Sequence, residues 1–398
     1  MSPDLQRFFE RLPGAFRPEK ASKWTASIYF YVPGHAGWTL EVDSGACTLA
    51  EGRQGQPAVE VSGSPETWEK IARGQDTLKN AFVRGDVITN HSAALLRLER
   101  AFDLGEAEHG AGAPAALRPE LVGHVIPGEP VRIDAAAIRA FAEATGDPNP
   151  AYVRADAPIA PVVFPIRLVR SIFVHLLTEE ETGGDVTRMV HAEQDIRVRR
   201  PLVAGDLAIP TAVVSRVEEV SYGDSLSIEQ RIEVAGEVSV EVTTVLFFKD
   251  PSGQRRSVRH LHSRPHVTGR NRATTFEAST VVAPDQPIAY AEASGDSNPL
   301  HTDREFARSL GFRDVLLQGT CTMAIAGRAV VDHACAGDPE RLRRLRVRFA
   351  RPVFPGDTLR TAGWKEKDEA GGAVYGFETA NQEGKRVLIN GIALVAPA

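Results

Sequence analysis

The residues best placed by type and spacing to do chemistry lie in one short run, YAEASGDSNPLH, Tyr290 to His301. Asp296 and His301 stand five apart, with Pro299 between them. A carboxylate and an imidazole at that spacing across a rigid turn can be aimed at one water. They would then act as a general acid–base pair, each group worth roughly a hundred- to ten-thousand-fold in rate. Asn298 suits the turn itself, because Asp-x-Asn-Pro is a good turn sequence in any protein. Further on, Gly319 opens the apolar segment Leu317–His333, long enough for one central helix. Its backbone N–H would stand at the positive end of the helix dipole, where developing negative charge is stabilised.

The elements that must position these groups are written twice. ATGDPNPAY, Ala144 to Tyr152, returns as ASGDSNPLH 149 residues later, and RRPLVAGD, Arg199 to Asp206, returns as ARPVFPGD 151 residues later. A period near 150 is too long for a solenoid unit, so each copy is expected to be a whole domain. Each begins with a short helix (Ala135–Ala144; Gln286–Ser294), passes through the Gly-Asp turn and enters an apolar helix (Val162–Leu177; Leu317–His333). β-rich runs follow, among them AIPTAVVSRV, EVSVEVTTVLFF and VLINGIALVA. One buried helix wrapped by an antiparallel sheet is the hot-dog arrangement, here expected in tandem. The copies are not equal. The first keeps Asp147, Asn149 and Pro150 but has Tyr152 in the histidine's place, and its helix start, APVVFPIRLVR, lacks the glycine. Without imidazole and polarising N–H it is expected to be inactive. Tyr152 is then either a packed aromatic or part of the substrate lining.

Residues Tyr290–His301, with LLQGTCTMAIAGRAVV and FARPVFPGDTL after them, resemble the MaoC-like (R)-specific enoyl-CoA hydratases, also called hydratase 2 and found in peroxisomal multifunctional enzyme type 2. The resemblance covers about residues 119–398 and is closer in the second copy. It implies that Asp296 and His301 share the water that adds to a trans-2-enoyl thioester, that Asn298 supports the turn and that Gly319 polarises the thioester. Gln318 stands where these hydratases usually have His, and Gln can still donate a hydrogen bond to substrate. The N-terminal residues, with the WTLEVDSG hairpin, the SPETWEKIARG helix capped by Ser64 and the AFVRGDVITN strand, resemble the sterol carrier protein type 2 fold, whose members hold lipids or acyl chains. The fold class is therefore α+β. Its domains are a sterol-carrier-like domain over 1–105, a Gly/Ala/Pro-rich linker over 106–118, a degenerate hot dog over 119–252 and a catalytic one over 253–398.

RLRRLRVRFAR holds six arginines, and on a strand Arg344, Arg346 and Arg348 share one face. They could bind the phosphates of CoA or stand in solvent, and the cluster Arg255–Arg272 presents the same choice. Composition narrows the rest. The 398 residues carry 46 basic and 52 acidic side chains, net −6, which argues against a nucleic-acid binder. Three cysteines cannot make a disulfide framework. No apolar run spans a membrane and no targeting segment is recognised, so the cytoplasm is the expected compartment. No dinucleotide fingerprint, Walker loop or Gly-x-Ser-x-Gly elbow occurs, and His260, His262 and His266 read as a solvated linker rather than metal ligands. Neither metal nor cofactor is expected. The expected partner is an acyl-CoA or acyl-carrier-protein thioester, with a lipid or acyl chain in the N-terminal domain. A carrier-protein dehydratase, a thioesterase or a non-catalytic acyl-CoA or lipid-binding protein on the same fold stays open, as does a homodimer.

Overall fold

The computed structural model describes residues 3–397 apart from 22–23, 36, 44, 79–80, 83–85, 90–94, 96, 99–100, 104–116, 155, 177–188, 251–271, 297 and 310. They form two compact units, Met1–Ala113 with Asp303–Arg313, and Pro114–Thr302 with Asp314–Ala398. Most of the expected linker 106–118, the boundary at 252/253, and His260, His262 and His266 lie outside the described residues. So does the cluster Arg255–Arg272 except for Arg272, which pairs with Glu366.

In the first unit, helix α1 (Pro3–Arg11) buries Leu5, Phe8 and Phe9, with Leu12 just beyond. Their spacing of three, one and three places them on one helical face. Phe9 stacks on Trp38 at 4.0 Å and lies against Phe30 and Trp68. Trp38 begins β2 (Trp38–Asp43) of a five-stranded sheet, which also contains β1 (Thr25–Tyr31), β3 (Ala46–Glu51), β4 (Val59–Gly63) and β5 (Val87–Thr89) in the order β3-β2-β1-β4-β5. Only β1 and β4 run parallel. Helix α2 (Pro65–Ala72) makes the crossover between β4 and β5. Ser64 caps it by accepting the Thr67 N–H at 3.1 Å.

The second unit holds the two repeats. The first contributes β6 (Val125–Pro127), β7 (Val131–Arg132), α3 (Ala135–Ala144), α4 (Pro150–Val153), α5 (Pro165–Leu176), β8 (Met189–Val198), β9 (Leu207–Val220), β10 (Gly223–Val234) and β11 (Glu237–Lys249). The second contributes β12 (Phe276–Val281), α6 (Gln286–Ser294), α7 (Pro299–Thr302), α8 (Gly319–Ala334), β13 (Leu342–Phe349), β14 (Thr358–Glu369), β15 (Gly372–Ala380) and β16 (Arg386–Val395). The strands form one sheet, β12-β14-β15-β16-β13-β8-β11-β10-β9-β6, with β7 also on β9. Each half wraps its own helix, α5 against β9 and β11, and α8 against β12, β13, β14 and β16. This is the tandem double hot dog. Cys321, Met323, Ala326 and Val330 of α8 are fully buried, so the helix is apolar nearly all round, as a wrapped helix must be. Phe141 and Tyr290, equivalent by the 149-residue period, meet in the shared core at 5.4 Å.

The two halves join at β8 and β13, which pair antiparallel with Arg346 opposite Asp195. Here the copies differ in charge. Arg344 grips Asp195 with two guanidinium nitrogens, and Arg346 donates to Glu193 at 2.9 Å. Acids on one strand against arginines on the other favour first-with-second pairing, since two like strands would oppose like charges. Two of the three arginines that suggested CoA phosphates are thus engaged in holding the repeats together. Arg346→Glu is expected to cost roughly 1.5–3 kcal/mol, the scale of a charged hydrogen bond lost. Adding Glu193→Arg should recover most of it, read from the melting transitions of both variants.

Candidate active site

The chemistry-bearing turn is built by helix ends. Helix α6 closes at Gly295, whose φ of +78° is left-handed and whose N–H returns to the Ala291 carbonyl. Asp296 follows at once. Asn298 then accepts the Leu300 N–H on its Oδ1 at 3.0 Å and the His301 N–H on its carbonyl at 2.8 Å. Asn298 thus starts α7, and α7 carries His301. His301 Nδ1 lies 2.8 Å from the Leu316 carbonyl. A carbonyl only accepts, so Nδ1 carries a proton, and in the neutral ring Nε2 presents a lone pair. That Nε2 faces Asp296 Oδ2 at 3.9 Å. Two acceptors across such a gap can be bridged by one water that donates a hydrogen to each.

The other oxygen of Asp296 is held from the first repeat. Arg170 on α5 reaches Oδ1 at 2.8 Å, and both side chains are largely buried. Burial pushes the Asp296 carboxyl up, but Arg170 above all, helped by the Asn298 N–H, outweighs it, so its pKa lies below the usual value. The carboxylate is therefore ionised at neutral pH. His191 on β8 also belongs to this surround. Burial pulls its imidazole down to about 4, against smaller opposing contributions from Gln194 and Asp296, so it is neutral. Its ring packs 4.7 Å from that of Phe349, and its buried Nε2 has no hydrogen-bond partner among the described residues.

Gly319 is the first residue of α8, and a Cβ built on it would meet the Phe349 ring at 3.1 Å. The absent side chain lets that helix start lie close against the Phe349 ring. Gln318, 1% exposed, spends its amide Nε2 on the carbonyls of Pro287 at 2.9 Å and Asp296 at 3.4 Å. It positions the Asp296 turn, and its donors point away from the substrate role read from the sequence. The first repeat has the same turn with other residues at two of these places. Asp147 accepts the Asn149 N–H, Tyr152 is buried beside it, and α5 opens with Pro165, which has no N–H to offer.

The sequence comparisons match three stretches of the chain. The MaoC like domain family matches residues 266–385, the FAS1-like dehydratase domain region matches 120–242, and the SCP-2 sterol transfer family matches 5–89. The probable enoyl-CoA hydratase 2 of Dictyostelium discoideum is 28% identical over 244 residues, covering 60% of this chain and 80% of that protein. The 3-hydroxyacyl-thioester dehydratase Y of Mycobacterium tuberculosis is 32% identical over 207 residues, 50% of this chain and 69% of that one. The chain belongs to the MaoC-like dehydratases. Its fold also matches the crystal structure of a MaoC-like dehydratase from Phytophthora capsici, with a TM-score of 0.60 at 23% identity over 70% of this chain and 97% of the other. The N-terminal unit contains the SCP2 domain.

Within this MaoC-like centre, the residues read from sequence separate into groups. Asp296, His301 and Asn298 come together on one turn. Gly319 opens the helix whose preceding residue, Gln318, bonds that turn. Arg344 and Arg346 are ion-paired in the seam, while Arg348 is exposed. Tyr152 has Asp147, Cys335, Asp332 and Asp338 as its electrostatic neighbours. Arg170 and His191 were missed. The signal for Arg170 was present, because RLVR puts two arginines in an otherwise apolar helix, and a buried charge needs a partner. His191 carried no such signal, since only the packing of the second repeat's Phe349 and Asp296 beside β8 gives it a place at the site.

Proposed function

We propose that this protein interconverts trans-2-enoyl-CoA and (R)-3-hydroxyacyl-CoA, with Asp296 and His301 acting on one water. The observation that carries the reading is the 3.9 Å gap between Asp296 Oδ2 and His301 Nε2, both acceptors facing one another. Asp296 takes a proton as the water oxygen bonds to Cβ, and His301 holds the second hydrogen. Negative charge moves onto the thioester oxygen, stabilised by the Gly319 N–H at the start of α8. The pair then returns a proton to Cα, and reversal gives dehydration. The names of the Dictyostelium and Mycobacterium relatives support this activity, and the same gap weighs against a purely non-catalytic binding protein. The SCP2 domain, which we assign to 1–105, would hold the acyl chain or a lipid. No helix among the described residues is long and apolar enough to cross a membrane. The cytoplasmic reading rests on sequence alone, and several relatives have "peroxisomal" in their names.

The test is stereochemical. Coupling hydration of a trans-2-enoyl-CoA to an (R)-specific 3-hydroxyacyl-CoA dehydrogenase should give NADH at once, and an (S)-specific enzyme should give none. Signal with the (S)-specific enzyme alone would overturn the assignment.

A further inference from the structure

We infer that the Tyr290 hydroxyl is a positioning group, which holds the Gly319 N–H in register with Asp296. This rests on the hydratase reading above and deepens it, by naming the bond that sets the acid–base turn against the enolate donor. Asp296 and His301 stand on the turn that follows α6, whereas Gly319 opens α8. Asp296 and Gly319 are 23 residues apart, so contacts between side chains must set their separation.

Two buried side chains make the connection. Gln318 reaches back from the start of α8 to the Pro287 and Asp296 carbonyls. In the other direction, Tyr290 on α6 donates its hydroxyl to Thr320 Oγ1 at 3.0 Å. Thr320 is the second residue of α8, next to Gly319. Tyr290 is fully buried and Thr320 is 6% exposed, so water does not compete for this bond. Burial also pushes the phenol well above its usual range, so it stays a donor. The backbone of the same residue is bonded towards the carboxylate. Ser294 donates to the Tyr290 carbonyl at 2.6 Å, and its Oγ accepts the Asp296 N–H at 3.2 Å. One residue of α6 is thereby tied to both sides of the site.

The first repeat supplies the comparison. Phe141 on α3 stands at the place of Tyr290 by the 149-residue period, is as deeply buried, and has no hydroxyl. The second residue of α5 is Ile166, which has none either. Both partners of the bond are therefore apolar in the copy whose helix opens with Pro165 and has no N–H there to place. Packing alone is satisfied by phenylalanine, since the Phe141 and Tyr290 rings share one core at 5.4 Å. A buried hydroxyl is costly unless it is bonded, so packing does not account for the one on Tyr290.

The experiment uses the full chain with Tyr290→Phe, Thr320→Val, the two together, and Thr320→Ser. A misplacement of about 1 Å can cost roughly a hundredfold in rate, so loss of one of the two ties should lower kcat for an enoyl-CoA about tenfold. KM should stay within twofold. The acidic limb of the pH profile should stay in place, because Asp296 keeps Arg170. Thr320→Val should resemble Tyr290→Phe, the double variant should be no slower than either, and Thr320→Ser, which keeps the hydroxyl, should recover most of the rate. Amide hydrogen exchange over Leu317–Met323 should quicken in Tyr290→Phe. A hydroxyl that only stabilised the fold would lower the melting temperature and leave kcat unchanged in the folded protein, and that result would overturn the inference. A loss carried by KM, or single losses that multiply in the double variant, would overturn it too. In a parent protein that hydrates no enoyl-CoA, faster exchange confined to Leu317–Met323 would uphold the tie and sink the hydratase reading, whereas unchanged exchange would sink both.

Discussion

Replacing Asp296 by Asn is expected to lower hydration about a thousandfold, within the range for losing a general base, and to lower stability by up to about 2 kcal/mol because Arg170 loses its counter-ion. The amide keeps the shape but cannot take the water's proton. His301→Ala should fall similarly, because Nε2 holds the other hydrogen of the same water. The double variant should lose far less than the product of the two, since groups that act as a unit are not additive. Asp147→Asn is the control. Its Oδ1 accepts one backbone N–H, which an amide oxygen also accepts, and burial already pushes that carboxyl upward, ahead of the Asn149 N–H and Arg328 that pull it down. Its rate should stay within a few-fold of the parent. Measured hydration rates for the four variants decide the matter, and a dead Asp147→Asn enzyme would mean that the repeats are assigned the wrong way round.

The second large effect concerns Arg170. Burial raises the Asp296 carboxyl and Arg170 is the first of the groups that bring it down. In Arg170→Met, burial should prevail, and the acidic limb of the kcat/KM–pH profile should move to higher pH. Arg170→Lys keeps the charge and should retain most of the parent profile. The ionised carboxylate, with its folded pKa below the unfolded value, stabilises the fold at neutral pH. That contribution is lost as pH falls through the folded pKa. Breaking the pair should cost roughly 2 kcal/mol, less than the 3–5 typical of fully buried pairs, because the two side chains keep 26% and 22% exposure. A Met variant with an unshifted acidic limb would show that Arg170 does not hold the base ionised.

Seeing Arg170 on the base changes how the degenerate repeat is understood. Its own turn has Tyr152 in place of the imidazole and its helix α5 opens with Pro165, yet α5 supplies the cation that pairs with Asp296 and its strand β8 brings His191 alongside. Arg167 on the same helix donates to the Ala293 carbonyl just before the second turn, and Arg328 on α8 donates to the Gly146 carbonyl of the first. Each central helix therefore braces the other repeat's Gly-Asp turn. Removing the first repeat would strip the base of its counter-ion as well as exposing the β13 edge.

The sequence alone determined the duplication, the wrapped helices and the Asp296–His301 turn. These depend on local rules: a glycine that permits φ +78° at a helix end, an Asn that caps the next turn, and a step of five residues from carboxylate to imidazole. The capped α2 and the apolar face of α1 were legible for the same reason. Tertiary structure decided everything that crosses the repeats. Arg344 and Arg346 share a face on their strand, as alternation requires, but only the pairing with β8 shows that Asp195 and Glu193 neutralise them. Gln318 reads as a donor for substrate until folding brings the Pro287 and Asp296 carbonyls against it. Arg170 stands 126 residues from Asp296, and no periodicity reports what a side chain meets over that distance. Ion pairs and buried hydrogen bonds are set by which surfaces meet, and here those surfaces are the facing sides of two copies that the sequence wrote one after the other.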